Sequence, residues 1–112
     1  MSLSIVDRVR GDFHVVELSG DIDVETSRTL RAHIVDRVVT PSSQIVVDLT
    51  AVDFMDSSGL GALVSGWQLT REGGDFRIAG ANPIVRRVLS ITGMEDVFAL
   101  YETVDDAIAG PA

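Results

Sequence analysis

The sequence of 112 residues contains no cysteine, which excludes disulfide frameworks, thiolate nucleophiles and cysteine-based zinc sites together. It also contains no lysine, since all nine basic residues are arginine. Schiff-base chemistry and any phosphate loop that needs a lysine are therefore excluded. The only histidines are His14 and His33, too few and too far apart in sequence for a His-rich metal site or an H-E-x-x-H helix. No apolar stretch approaches the roughly 18 residues a membrane span needs, and the N-terminus lacks a basic region followed by an apolar run. The expectation is a soluble, cytoplasmic chain that does not engage a membrane.

Nine basic against seventeen acidic residues give a net charge of -8, which opposes direct binding to nucleic acid. Hydrophobic residues make up 46% of the chain, enough to offset ordering entropy. The length suits one domain over residues 1–112, with its core at about 3–109.

Leu3 to Val9 and Phe13 to Leu18, separated by the turn residues Gly11-Asp12, read as an N-terminal hairpin that places His14 in a strand. Ser19-Gly20-Asp21-Ile22-Asp23 breaks the strand pattern. Asp23 stands at an N-cap position, with Val24, Leu30, Ile34 and Val38 on one helical face and Arg31, His33 and Arg37 on the solvated side. Pro41-Ser42-Ser43 closes that helix. Gln44 to Leu49 is a short apolar run of the kind found in a strand covered on both faces, and Thr50 to Met55 follows as a loop.

A second helix begins at or beside Asp56 and Ser57, carries Leu60, Leu63, Val64 and the core residue Trp67 at helical spacing, and ends near Gly73. Phe76 to Ala79 is a strand. Asn82-Pro83 opens a third helix with Ile84, Val85, Val88, Leu89 and Ile91 inward, and Gly93-Met94 ends it. Val97 to Tyr101 is a last strand, Thr103 caps a short final helix, and Gly110-Pro111-Ala112 frays. The order β-β-α-β-α-β-α-β-α predicts a single α/β domain, a mixed sheet packed with about four helices.

Phe54-Met55-Asp56-Ser57-Ser58-Gly59-Leu60-Gly61 carries the chemistry: two hydroxyls and a carboxylate at a helix start, where free backbone N–H groups favour anions. Either Asp56 or Ser57 caps the helix. Gly59, Gly61 and Gly66 beside Ala62 and Ser65 indicate a face that another backbone approaches closely, from the domain's own sheet or from a partner.

A nucleophile elbow needs G-x-S-x-G, which neither serine has, and the pair Gly59-x-Gly61 lacks the third glycine of a dinucleotide loop. Asp21, Asp23, Asp48, Asp53 and Asp56 could gather as a Mg2+ site or an aspartyl phosphoacceptor, but a receiver domain also needs a lysine. Caps, turns and solvated charge account for them more simply.

The motif Phe54 to Gly61 resembles the signature of bacterial anti-anti-sigma factors, the small stand-alone STAS-domain proteins. Ile45 to Leu49 before the motif, Gly20-Asp21-Ile22-Asp23, Asn82 to Leu89 and Thr92-Gly93-Met94 extend the resemblance over nearly the whole chain. It implies a non-enzymatic antagonist of an anti-sigma factor, without cofactor or metal. Unphosphorylated, such a protein binds an anti-sigma factor that is itself a serine kinase and so frees the sigma factor. Phosphorylation at Ser57 switches it off, and a metal-dependent serine phosphatase resets it. Asp21, Asp23, Asp56, Ser57, Ser58, Gly59 and Gly61 would then form the partner-binding surface. The alternatives are an unphosphorylated STAS scaffold or transporter-associated subunit, and a nucleotide-sensing STAS domain.

Overall fold

The structure, a computed structural model, describes residues 2–111. Five strands form: β1 Leu3–Arg10, β2 Phe13–Ile22 and β3 Gln44–Met55, which carry most of the sheet's Val and Ile, and the shorter β4 Asp75–Ala79 and β5 Ala99–Tyr101. Capped segments form four helices: α1 Val24–Arg37, α2 Ser58–Thr70, α3 Pro83–Ile91 and α4 Val104–Ala109. The order is the expected β-β-α-β-α-β-α-β-α. The strands lie side by side in chain order, with β1 antiparallel to β2 and every later pair parallel. Three successive crossovers that move the same way across the sheet put their helices on the same face. Leu30 and Ile34 of α1, Leu60 and Leu63 of α2, and Val85 and Leu89 of α3 accordingly share the main core with Val16, Leu18, Val47 and Ile78. The other face carries only α4, through Ala107 on Phe13, Val15, Val46 and Ala79. Among the described residues no helix is long and apolar enough to cross a membrane.

Two strands run further than their sequence pattern indicates. β2 continues through Ser19–Ile22, and β3 continues through Thr50–Met55, read from sequence as a loop, to pair Gly20 with Val52 and Ile22 with Met55. The pairing shifts register twice, each time leaving one extra residue on β3. Each extra residue turns two consecutive side chains outward, Thr50 with Ala51 and Asp53 with Phe54, and so erases the two-residue alternation that marks a strand. β5 starts at Ala99 rather than Val97.

Helix faces differ in part from the expected ones. Val24, Ile84 and Ile91 are 62%, 53% and 72% exposed, whereas Leu30, Ile34, Val85 and Leu89 are fully buried. Trp67 packs half-buried against the core, with the Arg71 guanidinium 4.6 Å above its ring. Gly73 adopts φ +95° just past α2, as expected of a left-handed terminator.

The small residues of α2 serve the domain's own core, and what approaches them is side chain rather than backbone. A Cβ on Gly59 would lie 2.6 Å from Met55 Cγ and 2.8 Å from Ile22 Cγ2. One on Gly66 would collide with the Phe76 ring and lie 2.7 Å from Ile34 Cγ2, while one on Gly61 meets open space.

Two polar clusters tie down elements that the sequence leaves loose. His14 and His33, distant in sequence, each place Nε2 2.8 Å from Oδ1 of Asp7, whose second oxygen accepts from Arg37 at 3.2 Å. His33 is thus a partly buried link between α1 and the hairpin rather than a free, solvated surface residue. Burial alone would push the Asp7 carboxyl up, but the hydrogen bonds from His33, His14 and Arg37 outweigh it and hold the carboxyl well below the usual range. On the other face the buried Arg77 stacks on Phe13 and donates to Asp75, to the Ala107 carbonyl, to Gly110 O at 3.0 Å and to Pro111 O at 2.7 Å. Gly110 and Pro111 are therefore anchored rather than frayed, and Ala112 lies outside the described residues.

Gly66→Ala overpacks the α1–α2 contact and should lower unfolding stability by about 2 kcal/mol. Gly61→Ala should leave it unchanged or raise it by up to about 1 kcal/mol, because nothing opposes its Cβ. Urea titration of both variants checks the contrast, and equal effects would contradict the close approach at Gly66.

A depressed folded-state pKa contributes stability above the unfolded value, 3.8 for Asp7, and that contribution fades as pH falls below it. Asp7→Asn should therefore be less stable than the parent protein at neutral pH, with the gap closing in acid. Thermal melts from pH 7 down to pH 2, which carry the comparison well below the unfolded value, read this directly, and a gap that does not narrow below pH 3.8 would refute the cluster's role.

Candidate functional site

The parallel pairing of β2, β3 and β4 brings the loops before α1, α2 and α3 to one end of the sheet. The β2–β3 pairing ends at Ile22 and Met55, and one further hydrogen bond, Asp56 N–H to Ile22 O at 3.1 Å, fastens the two loops together. Asp21, Asp23, Asp56, Ser57, Ser58 and Gly59 thus gather at neighbouring helix starts, while Gly61 lies about one turn into α2 on its open side.

Asp23 caps α1 as the sequence indicates. Its extended backbone lets Oδ1 accept from Glu25 N at 3.0 Å and Thr26 N at 2.9 Å. Thr26 Oγ1 returns the favour by accepting from Asp23 N–H at 2.9 Å and lies 2.9 Å from the Asp21 carbonyl, to which it donates. The backbone hydrogen bond from Thr26 is the largest cause that holds the Asp23 carboxyl below its ordinary value. Its charge is committed to the helix. Among the described residues no hydrogen-bond partner engages the Asp21 carboxylate, so that charge is the uncommitted one in this turn.

At α2 the cap is Asp56 and not Ser57. Asp56 Oδ1 accepts from Ser58 N at 2.9 Å and from the Ser58 hydroxyl, a bond between partly buried groups. Ser57 already has helical backbone angles, φ -65° and ψ -19°, which turn its side chain away from the helix N–H groups, and it makes no side-chain cap bond. It is exposed, while Ser58 is half-buried and Gly59 fully buried. The first turn closes tightly, with Gly59 N–H on Asp56 O at 3.1 Å and Leu60 N–H on Ser57 O at 3.2 Å. The N–H groups of Ser58, Gly59 and Leu60 therefore have acceptors already, which corrects the expectation of a helix start with free donors.

The five aspartates do not converge. Asp48 sits within β3, where its carboxylate accepts from Thr50 N at 3.0 Å and Thr50 Oγ1 at 2.6 Å. Among the described residues no three His, Asp or Glu side chains are disposed to hold a metal ion.

Sequence reasoning missed two features of this end. Asn82, which opens α3 as expected by accepting from Val85 N at 2.9 Å, also donates its amide to Val52 O at 3.0 Å, and this second bond, which ties the third loop to β3, is the one not foreseen. Val24, Phe54 and Ile84 lie exposed beside the starts of α1, α2 and α3, at 62%, 39% and 53%. For Val24 and Ile84 the available signal is an apolar residue at the first or second position of a helix, whereas Phe54 lies in β3 and is turned outward by the second bulge, which leaves no local signal.

Residues 4–107 match the STAS domain family. An anti-sigma F factor antagonist of Paenibacillus polymyxa is 31% identical over 96 residues, which cover 84% of this chain and 82% of the relative. An anti-sigma-B factor antagonist of Staphylococcus aureus is 32% identical over 108 residues, 91% of this chain and 95% of the relative. Among solved structures, an anti-sigma factor antagonist from Mycobacterium paratuberculosis superposes with a TM-score of 0.79 at 30% identity, covering 96% of this chain and 92% of that one. The mixed sheet, the paired loops at its end and this similarity along nearly the full length lead to one conclusion: the chain belongs to the STAS domain family.

Proposed function

We propose that this protein is an anti-sigma factor antagonist switched by phosphorylation at Ser57. Unphosphorylated, it binds an anti-sigma factor with serine kinase activity and so releases the sigma factor; phosphorylated, it lets go, and a metal-dependent serine phosphatase restores it. It acts by binding rather than by catalysis.

The observation that carries this reading is the exposed Ser57 hydroxyl, the one side chain of the Asp56-Ser57-Ser58 turn with no structural task. Similarity to relatives named as anti-sigma factor antagonists supports the partner class. The exposed Val24, Phe54 and Ile84 around it give a docking partner apolar surface to bury, with Asp21, Asp23, Asp56, Ser58 and Gly61 completing the face, while Gly59, expected there from sequence, is buried against Met55 and Ile22 and supports the face from beneath.

Phosphorylation adds roughly -1.5 to -2 charge beside Asp56 and Asp21. Since the nearest helix N–H groups are already engaged, the phosphate projects outward and leaves the fold as it is. The cost falls on the interface, where a partner over Ser57 and Phe54 must desolvate a dianion next to carboxylates. A penalty of roughly 3 to 4 kcal/mol weakens binding several hundredfold.

Ser57→Ala should retain an anti-sigma factor from the source cell's lysate, and Ser57→Asp should lose it. Paired pull-downs read by mass spectrometry decide the matter. Equal retention by both baits, or capture of no serine kinase of anti-sigma type by the Ala bait, would overturn the reading.

A further inference from the structure

Two adjacent serines stand at the start of α2, and their hydroxyls differ in every respect the structure reports. Ser58 is half-buried and its hydroxyl donates to the Asp56 carboxylate; Ser57 is exposed and free of any cap bond. Nor can the turn roll to exchange them. Asp56 N–H is fixed to Ile22 O at 3.1 Å on one side, and the close packing of Gly59 on Met55 and Ile22 fixes the helix on the other.

We propose that Asp56 is the positioning residue that decides which serine is phosphorylated, an inference that rests on the phosphoswitch reading above. In the transfer, a serine Oγ attacks the γ-phosphorus of a nucleoside triphosphate held by the kinase. The new O–P bond forms as the bond to the bridging oxygen breaks, the nucleoside diphosphate leaves with that electron pair, and the hydroxyl proton passes to a base on the kinase. At Ser58 that proton is committed to Asp56, so the kinase base cannot take it without breaking a charge-assisted hydrogen bond. The same carboxylate holds negative charge against the Ser58 oxygen, where a γ-phosphate would have to approach. Ser57 carries neither restraint. Asp56 thus performs two tasks with one oxygen: it caps α2 through Ser58 N–H at 2.9 Å and withholds the Ser58 hydroxyl from the reaction.

The test uses allele replacement in the source cell and phosphosite mapping on the peptide Val38–Arg71, which arginine-specific cleavage releases with both serines. Asp56→Asn keeps an amide oxygen for the cap but removes the charge that holds the Ser58 hydroxyl. The parent should carry phosphate on Ser57 only and Ser57→Ala none. Asp56→Asn should carry it on both serines, and Asp56→Asn with Ser57→Ala on Ser58. Phosphate on Ser58 in the single Ser57→Ala variant would overturn the inference, since Asp56 would then withhold nothing. Phosphate confined to Ser57 in Asp56→Asn, or lost from both serines there, would overturn it too, the latter because the kinase would be reading Asp56 itself. A parent without phosphate on either serine would instead remove the phosphoswitch reading, and this inference with it. In the purified parent protein the Ser58 hydroxyl proton should exchange with water more slowly than that of Ser57, and equal rates would likewise count against Asp56.

Discussion

The end of the β2–β3 ladder is the contact on which the site depends. Ile22 pairs with Met55, the Asp56 N–H adds one more bond to the Ile22 carbonyl, and both strands then turn directly into helices. The two helix starts are held side by side by backbone hydrogen bonds, whose geometry tolerates little drift. Above them α1 and α2 lie close because Gly66 admits the Phe76 ring and Ile34. Loosening either contact would move Asp23 relative to Ser57 without changing a single residue of the proposed face.

Within that frame the carboxylates divide into those with work inside the fold and those without. Asp23 holds the first turn of α1, Asp56 holds the first turn of α2, and Asp48 holds Thr50 in a bent stretch of β3. The Asp21 carboxylate stays uncommitted among the described residues, in the partly buried turn that the β2–β3 pairing holds beside the start of α2. A net charge of -8 therefore reaches this end of the molecule in few places, and a phosphate added there lands beside carboxylates. Small added charge has a large effect only because the surrounding charge already has its sign.

Elsewhere, paired charges anchor what hydrophobic burial leaves loose. β1 is an edge strand with Val6 and Val9 exposed, and Asp7 fastens it to α1 through His33 and Arg37. Arg77 does the same for the C-terminal segment, since its guanidinium reaches three main-chain carbonyls beyond the reach of any strand pairing. Each of these charges is matched by hydrogen-bond partners, without which its burial would be costly.

The sequence by itself determined the element order, the caps at Asp23, Asn82 and Thr103, the central place of β3, and the serine motif, because these depend on side chains within a few residues of one another. Local alternation could not find the second halves of β2 and β3, since two bulges cancel the period on which such reading relies. Nor could it join His14 to His33 through Asp7, or Arg77 to Pro111, which meet only when β1, β2, α1, β4 and the segment after α4 are assembled. Only the tertiary structure decided that Asp56 rather than Ser57 caps α2. Both residue types can cap a helix, and the choice was made by where the Ile22 carbonyl holds the Asp56 backbone and how closely Gly59 lies on Met55. The free hydroxyl of Ser57 is a consequence of that long-range register, which no short stretch of sequence encodes.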